Sequence, residues 1–449
     1  MTNTNFKQFL TSIIMAFTVA SCTQNPAGGM GGDPSQTFLV DEGKDCPTAK
    51  HSGSLASSLH MAGVVATVTT DSAYSSSSLW ALDFPTDRFC PVSTGEAGDL
   101  LLTSSGDDLA LFSRRVPQLN YNAFTALGRT AQQATPLAEN GDPHTLRVFN
   151  DGDILRWLIA ANTSGKLVEF DPAQPRNAVA IVPSDLKRSA SGAKFRPVDL
   201  MVVKGEDLYP DLLKATAGKS DDDYIFALHQ GLDANYRVNN SQAIYAWRRI
   251  GPGQYSEVDL DETKSGINGI PLRYSNPAGF IRSGDRLAML SLCFSADPNC
   301  KKGIEYIDLI EFGDIHETHN ATDLAATTLF TNGMTVGGSS PKSKSNGKSL
   351  LLAFASVQMS SGKKIVSIDL MSGAVETIHA FSGSGSGFYG LVYDQKSFNL
   401  IVGDSNGSQS LMSGYPIASN GKVSEKPAHY MLPSTGQAFP MQFVLLNNN

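Results

Sequence analysis

The stretch Lys363-Lys-Ile-Val-Ser-Ile-Asp-Leu-Met-Ser-Gly-Ala-Val-Glu-Thr-Ile378 alternates apolar and polar side chains on both sides of Gly373. Successive side chains of a β-strand point to opposite faces, so this alternation is typical of strands with one buried face. The stretch therefore predicts two half-buried strands joined by a tight turn at Gly373.

Strand patterns of the same kind recur along the chain, at residues 78–84, 166–171, 243–247 and 304–309. Repetition of a strand hairpin at a period of one four-stranded unit is typical of a β-propeller. The chain divides into such units with the innermost strand first. Six of them begin near residues 99, 145, 198, 278, 334 and 388.

Two pieces of sequence remain outside these six units. Residues 436–446 resemble one more innermost strand, and residues 63–69, 79–83 and 88–92 resemble three outer strands without a leader. Joining them gives a seventh unit and closes the ring, which removes unpaired strand edges at both ends. The sequence therefore predicts an all-β propeller of seven four-stranded blades, as a single domain over residues 36–449.

Composition bounds the partners of this domain. The chain has 449 residues, of which 41% are hydrophobic and 17% charged, and its formal net charge is −8. A dispersed acidic balance argues against nucleic acid or anionic lipid as the main partner. After residue 21 the sequence contains no run of about 20 apolar residues, the length that a membrane-spanning helix needs.

The N-terminus is predicted to be a targeting segment. Lys7 precedes an apolar run that is too short to span a bilayer, and the run ends in Val19-Ala-Ser-Cys22. This ending resembles the lipobox of bacterial lipoproteins; the alternative is a plain secretory signal with a cysteine at that position by chance. The resemblance implies removal of residues 1–21 and acylation of Cys22 with fatty acids such as palmitate. Thr23 then favours sorting to the outer membrane, with residues 22–35 as a flexible Gly/Pro-rich tether.

Four further cysteines are Cys46, Cys90, Cys293 and Cys300. An even number of cysteines in an exported chain indicates disulfides. The short separation of Cys293 and Cys300 favours a local bridge, which leaves Cys46 to pair with Cys90. A zinc site is the alternative, but the sequence has no Cys-x-x-Cys spacing to support it.

The other candidate metal or ligand sites in the sequence are better explained as loops, turns, strands or core residues. Residues 259–266 begin like a calcium loop but have Lys264 where the turn glycine is required. Three consecutive carboxylates at 221–223 cannot all face one ion, so a solvated turn is expected. His316 and His319 lie in a strand-like region, where a spacing of three puts side chains on opposite faces. The tryptophans Trp80, Trp157 and Trp247 fall inside strand patterns and are expected in the core.

As a pattern over residues 40–446, the chain resembles bacterial β-propeller lipoproteins, including lactonase-like and quinoprotein-like propellers. We predict a monomer, anchored to the bacterial cell envelope through lipid alone, that binds another envelope protein or an extracellular ligand. This interpretation includes no catalytic residue, no cofactor and no metal. The alternative is a propeller enzyme, lactonase-like or quinoprotein-dehydrogenase-like, with a metal at the mouth of the central channel.

Overall fold

A computed structural model describes residues 46–447 except for connections between strands, of which the longest are 53–60, 134–141, 186–193, 209–216, 292–302, 320–329, 338–351 and 382–389. In chain order, the described strands are β1 (Lys50–Ser52), β2 (Met61–Thr69), β3 (Ser76–Asp83), β4 (Arg88–Ala97), β5 (Leu100–Ser105), β6 (Asp108–Ser113), β7 (Asn120–Thr125), β8 (Gly128–Gln133), β9 (Pro143–Asp151), β10 (Ile154–Ala161), β11 (Lys166–Phe170), β12 (Val179–Ile181), β13 (Pro197–Lys204), β14 (Asp223–His229), β15 (Ala243–Gly251), β16 (Gln254–Val258), β17 (Ile270–Pro271), β18 (Pro277–Ser283), β19 (Arg286–Ser291), β20 (Gly303–Asp308), β21 (Ile315–His319), β22 (Phe330–Gly337), β23 (Leu352–Met359), β24 (Gly362–Asp369), β25 (Val375–Phe381), β26 (Leu391–Asp394), β27 (Asn399–Ser405), β28 (Ser410–Pro416), β29 (Ala428–Met431) and β30 (Phe439–Asn447). A 3-10 turn covers Gly205–Asp207. Among the described residues, no helix is long and apolar enough to cross a membrane.

The described strands form seven antiparallel sheets, here called blades 1 to 7. From the innermost strand outward they are β30-β2-β3-β4, β5-β6-β7-β8, β9-β10-β11-β12, β13-β14-β15-β16, β18-β19-β20-β21, β22-β23-β24-β25 and β26-β27-β28-β29-β1. The innermost strands contact one another in the closed order β30, β5, β9, β13, β18, β22, β26 and back to β30. The fold is therefore an all-β propeller, as the sequence predicts.

The hairpin predicted at residues 363–378 is the outer half of blade 6. Strand β24 pairs with β25, with Ile365 opposite His379. Ile365, Val366 and Ser367 are all buried, although successive side chains point to opposite faces. Both faces of this strand are thus covered, rather than one as predicted, because each blade lies between two others. The turn at Gly373 lies outside the described residues.

Blade 1 is closed by the C-terminal strand, as predicted. Strand β30 pairs with β2 along its length, with Val444 opposite Val65 and Phe443 opposite Ala66. Phe443 packs against buried residues of blade 7 and blade 1, among them Ile401 and Leu82. The last strand of the chain therefore supplies the innermost position of the first blade and completes the ring.

A short N-terminal segment, residues 46–52, joins the outer edges of blades 7 and 1; we call it the N-terminal strap. Its strand β1 adds to the edge of blade 7 by pairing with β29. Upstream of β1, the Ala49 N–H donates to the Asp87 carbonyl and the Phe89 N–H donates to the Pro47 carbonyl. The structure also joins Cys46 to Cys90 of β4 by a disulfide. The sequence does not predict β1.

Apolar side chains fill the seams between blades. Trp157 belongs to the buried cluster between blades 2 and 3, and Trp247 to the cluster between blades 3 and 4. Trp80 is partly buried against the cluster between blades 7 and 1. The three tryptophans therefore lie in or against the core, as predicted.

Candidate functional site

All innermost strands start at the same mouth of the channel. The described blades are built on four antiparallel strands, so the chain ends each blade on the side where it began and enters the next blade there. The connections between second and third strands lie on this side as well. We call this side the ring mouth, because side chains of several blades meet at it.

The innermost strands begin with a repeated backbone irregularity. In blades 1, 3, 4 and 5 the pairing with the second strand skips one residue directly after a proline. A skipped residue is a β-bulge, and proline fits there because it has no N–H to give to the ladder. The four segments are Pro440-Met-Gln442, Pro143-His-Thr145, Pro197-Val-Asp199 and Pro277-Ala-Gly279.

The residue that ends each irregularity occupies an equivalent position in its blade, and we call these positions the ring residues. In blade 6, the pairing jumps from Phe330 to Gly333. In blade 7, the Gly390 carbonyl accepts a hydrogen bond from the Gly403 N–H, just before β26. The described ring residues, from blade 1 and then blades 3 to 7, are Gln442, Thr145, Asp199, Gly279, Gly333 and Gly390.

Asp199 connects three neighbouring blades at the ring mouth. Its Oδ1 accepts hydrogen bonds from Thr145 Oγ1 at 2.9 Å, Arg147 Nη2 at 3.3 Å and the Leu200 N–H at 2.8 Å. Its Oδ2 accepts one from the Phe280 N–H at 2.9 Å. Each carboxylate oxygen has two lone-pair sites, and here three donors converge on Oδ1 and one on Oδ2. The Thr145 hydroxyl, which has a single proton, also lies 3.0 Å from the Val198 carbonyl oxygen. Asp199 is therefore a clamp between β9, β13 and β18.

Gly279 makes room for this clamp. A Cβ atom at position 279 would lie 3.2 Å from Asp199 Oδ2, which is closer than nearly all real Cβ contacts. The glycine thus lets the carboxylate approach the backbone of β18.

Arg147 presents the exposed charge of this group. It lies two residues after Thr145 on β9 and shares its face. Its Nη1 donates to the Leu146 carbonyl at 3.1 Å, and 38% of its side chain is exposed, against 12% for Asp199. The cation is therefore the member of this ion pair that faces solvent.

A buried polar layer supports the ring mouth between blades 3 and 4. Asn162, in the connection after β10, donates from Nδ2 to Gln230 Oε1 at 2.9 Å and to the Pro197 carbonyl at 3.2 Å. The Arg196 Nη1 donates to Asn162 Oδ1 at 3.4 Å. All these side chains are at least nine-tenths buried. Because a buried polar group is costly unless hydrogen-bonded, such a network fixes the connections of two blades relative to each other.

His229 lies in the same layer, at the end of β14. Its Nδ1 accepts a hydrogen bond from the Arg196 N–H at 3.0 Å, so Nε2 carries the proton and faces Ser241 Oγ at 3.3 Å. The ring packs against Phe195 and Tyr245. Burial, helped by the positive charge of Arg196, lowers the pKa of His229 to about 4. The imidazole is therefore neutral at pH 7.

Tyr245 is also held in its neutral form. Its hydroxyl donates to Asp185 Oδ2 at 3.3 Å. Burial and the neighbouring carboxylate raise the pKa of the phenol well above its usual value. Tyr245 is thus a hydrogen-bond donor that ties the connection into blade 4 to β15.

A second buried charged group lies in the same seam, toward the opposite mouth. Glu169 of β11 is 1% exposed and accepts a hydrogen bond from Arg249 Nη2 at 3.1 Å. The Gly253 N–H and the Tyr255 hydroxyl also donate to it, and Arg156 Nε lies 3.9 Å away. Donors from blade 4 thus satisfy a carboxylate of blade 3, which makes this group a structural link.

Of the cysteines singled out in the sequence, the structure describes two, and these lie away from the ring mouth. Cys22, Cys293 and Cys300 lie outside the described residues, and Cys46 and Cys90 are at the rim of blade 1. Within the described part of the chain, no three His, Cys, Asp or Glu side chains are grouped so that they could hold a metal ion.

The acidic turn has a local structural role, and the two histidines lie in an outermost strand. Asp222 pairs with Arg248 at 3.4 Å, and Asp223 pairs with Lys204 at 2.6 Å. His316 and His319 lie in β21, the outermost strand of blade 5.

Sequence reasoning missed Thr145, Arg147 and Asp199. The available signal was a proline at the start of an innermost strand, with the ring residue two positions after it. The residue that follows the ring residue is apolar and packs on the preceding blade. Leu146, Leu200 and Phe280 are such residues. Asp99 precedes Leu100 in the same way in blade 2, but it lies outside the described residues.

Comparison with known proteins supports the fold. No family model matches the sequence, and no curated protein matches it. Similar solved structures include a candidate 6-phosphogluconolactonase from Bacteroides fragilis, with 14% identity and a TM-score of 0.51, covering 86% of this chain and 98% of that one. A protein from Lactobacillus plantarum has 12% identity and a TM-score of 0.52, covering 86% and 100%. At these identities the likeness shows the fold alone, which is similar to that of lactonase-like proteins.

Proposed function

We propose that this protein is an exported, lipid-anchored propeller that serves as a binding module at the bacterial cell envelope, with its ligand at the ring mouth. The observation that carries the proposal is the contrast between Asp199 and Arg147. Asp199 accepts hydrogen bonds from groups of three blades, whereas Arg147 directs an exposed cation toward solvent. A rigid ring with an exposed recognition group suits binding.

The same observation argues against the described carboxylate as a catalytic group. A general base needs a lone pair within reach of the proton that it removes, and a metal ligand needs lone pairs directed at the ion. At Asp199, three donors converge on Oδ1, one more is on Oδ2, and the side chain is only 12% exposed, so its described contacts are those of a structural carboxylate. His229 is buried beneath the ring mouth and already accepts a hydrogen bond at Nδ1.

Site-specific photocrosslinking tests where the ligand binds. A photoreactive residue at Asn235, exposed in the connection between β14 and β15 on the ring-mouth side, should crosslink to the ligand in intact cells. The same residue at Ile250, 59% exposed beside the hairpin on the opposite side of the same blade, is the matched control. Crosslinks from Ile250 alone would contradict the proposal.

The anchor and the disulfides have their own tests. Because acylation of Cys22 would hold the protein in the membrane, a Cys22→Ala variant should lose labelling by a fatty-acid analogue and no longer partition into detergent. A variant that stays membrane-bound would refute the anchor.

Peptide mapping without reduction should find Cys46 linked to Cys90 and Cys293 linked to Cys300. Free thiols at all four positions would refute the disulfides.

A propeller lactonase is the second candidate, favoured by the fold likeness to the candidate 6-phosphogluconolactonase. In that case the purified protein would accelerate hydrolysis of 6-phosphogluconolactone above the spontaneous rate, and an Asp199→Asn variant would lose the acceleration. As a binding module, the protein should leave the spontaneous rate unchanged. A pH-stat assay distinguishes the two functions, and addition of a divalent metal to the same assay tests the metal-dependent alternative. The quinoprotein alternative needs a separate assay, in which the protein supplied with a quinone would oxidise an aldose and reduce an artificial electron acceptor.

A further inference from the structure

The guanidinium of Arg147 has donors to spare. A guanidinium carries five N–H groups. Among the described residues, Arg147 donates to the Leu146 carbonyl and to Asp199 Oδ1, and each contact uses one N–H. Three N–H groups are therefore left, on a side chain that is 38% exposed.

This guanidinium is held in place before any ligand arrives. Thr145, Leu200 and Phe280 fix the carboxylate of Asp199 through hydrogen bonds, and that carboxylate in turn fixes Nη2 of Arg147. A planar fork that is already oriented loses less rotamer entropy on binding than a free side chain does.

The charge near Arg147 remains available to an anion. Asp199 partly neutralises it, but both carboxylate oxygens are covered by donors and the side chain is 12% exposed. Asp142, the other carboxylate at the start of β9, is engaged by His144 Nε2 at 3.0 Å. The Asp142 and Arg147 side chains are thus similarly exposed beside β9, at 34% and 38%, but the Asp142 carboxylate is paired with His144, whereas Arg147 presents N–H donors of a cation.

In blades 5, 6 and 7, the positions equivalent to Thr145 and Asp199 are glycines and carry no side chain. The ring residues of blades 5, 6 and 7 are Gly279, Gly333 and Gly390, and Gly279 is the neighbour of Asp199. The ring is thus asymmetric, with polar side chains in blades 3 and 4 and bare backbone in the next three blades.

We propose that Arg147 binds the oxyanion of a small ligand, a carboxylate or phosphate group, and that the body of the ligand lies over the glycine half of the ring. Bidentate pairing with two oxygens would use the donors that the scaffold leaves unpaired. This inference rests on the proposed binding function and adds to it the chemical class of the ligand.

Calorimetric titration of the lipidated protein in detergent tests this proposal. The probes are glucose, gluconate and 6-phosphogluconate, which share a sugar skeleton and differ in the oxyanion. The two anions should bind, and glucose should not bind measurably. The ranking of gluconate against 6-phosphogluconate then identifies the oxyanion that the site prefers.

Two variants and a matched control assign the effect to Arg147. Arg147→Gln should weaken binding roughly ten- to a hundredfold, because a charge-assisted pair is lost. Arg147→Lys keeps the charge but loses the fork, so it should weaken binding roughly three- to tenfold. Arg237→Gln removes one positive charge from an exposed position on the same side and should leave the affinity unchanged. Asp199 keeps three donors in both Arg147 variants, so they should fold.

A spectroscopic measurement adds a readout that does not depend on the affinities of the variants. In the wild-type protein, the Arg147 Nε–H resonance, assigned by its absence in Arg147→Lys, should shift on addition of the anions. Equal binding of glucose and the anions, an unshifted resonance, or equal losses in Arg147→Gln and Arg237→Gln would overturn the inference. If the anions fail while Asn235 still crosslinks to a ligand, the ligand class is wrong and the binding module stands. If both fail, the proposed function fails as well.

Discussion

Mild acidification should destabilise the propeller through His229. The folded protein lowers the pKa of this imidazole from 6.5 to about 4, because the ring is buried in the polar layer below the ring mouth. Between these two values the unfolded chain binds a proton that the folded protein excludes. Stability from this residue is therefore complete above about pH 6.5 and decreases as the pH falls toward 4.

The magnitude follows from the size of the pKa difference. A shift of about 2.5 units corresponds to about 3 kcal/mol at 1.36 kcal/mol per unit. At pH 5 most of the unfolded molecules would be protonated at this site and few of the folded ones, so about 2 kcal/mol would already be lost. Because His229 is 0% exposed, solvent does not screen this effect.

Urea denaturation at pH 7 and pH 5 measures this loss. The variant His229→Asn keeps an acceptor near the Arg196 N–H but cannot titrate. It should be less stable at both pH values, because ring packing is lost, but the difference between pH 7 and pH 5 should shrink by about 2 kcal/mol. His144→Asn, at a partly exposed histidine, should keep the full difference. A difference that is the same in His229→Asn and wild type would refute the reasoning.

Three further predictions concern the scaffold. Deleting residues 435–449 should cause misfolding or aggregation, because it removes the innermost strand of blade 1 and exposes a strand edge, whereas deleting residues 23–35 should leave the melting temperature unchanged; a soluble 435–449 deletion with normal melting would mean that this strand does not close the ring. Glu169→Gln should cost about 3–5 kcal/mol in urea denaturation, because it removes a charged partner of the buried Arg249 guanidinium, and a loss below about 0.5 kcal/mol would contradict the role of this carboxylate. Gly165→Ala should cost about 1–3 kcal/mol, because φ is +71° and the new Cβ would lie 2.7 Å from a backbone carbonyl oxygen. Gly251→Ala, whose Cβ would meet only a side-chain atom at 3.9 Å, is the control and should stay within about 0.5 kcal/mol of wild type.

The alternation of apolar and polar residues predicted most of the blades, because most strands have both this period of two and enough apolar side chains to be recognised. It failed where strand formation depends on a neighbour. Strand β1 consists of Lys50, His51 and Ser52, which have no apolar alternation, and it is a strand because β29 offers an unpaired edge. Strand β8, Gly128–Gln133, is nearly all polar and forms for the same reason, beside β7.

The candidate site was not predictable residue by residue. Thr145 and Asp199 are 54 positions apart, and their contact exists only because the ring brings the starts of consecutive innermost strands together. The proline before each position was visible in the sequence, but the bulge that re-aims the next side chain is a property of the paired backbone. Arg147 carries no local motif, and its remaining exposure depends on how Asp199 uses its oxygens.

With the proposed acylation of Cys22, the N-terminal strap would decide how a pull on the proposed tether reaches the propeller. Tension arriving from the membrane side would meet Cys46 first, and with the Cys46–Cys90 bond formed it would pass directly into β4 through a covalent link. The hydrogen bonds of β1 lie beyond this branch point, so they would carry little of the load. After reduction of the bond, the load would pass through the three-residue strand β1 instead, and β1 would be the weakest element that carries it. The disulfide would thus protect the short β1–β29 pairing at the rim of the ring from mechanical load.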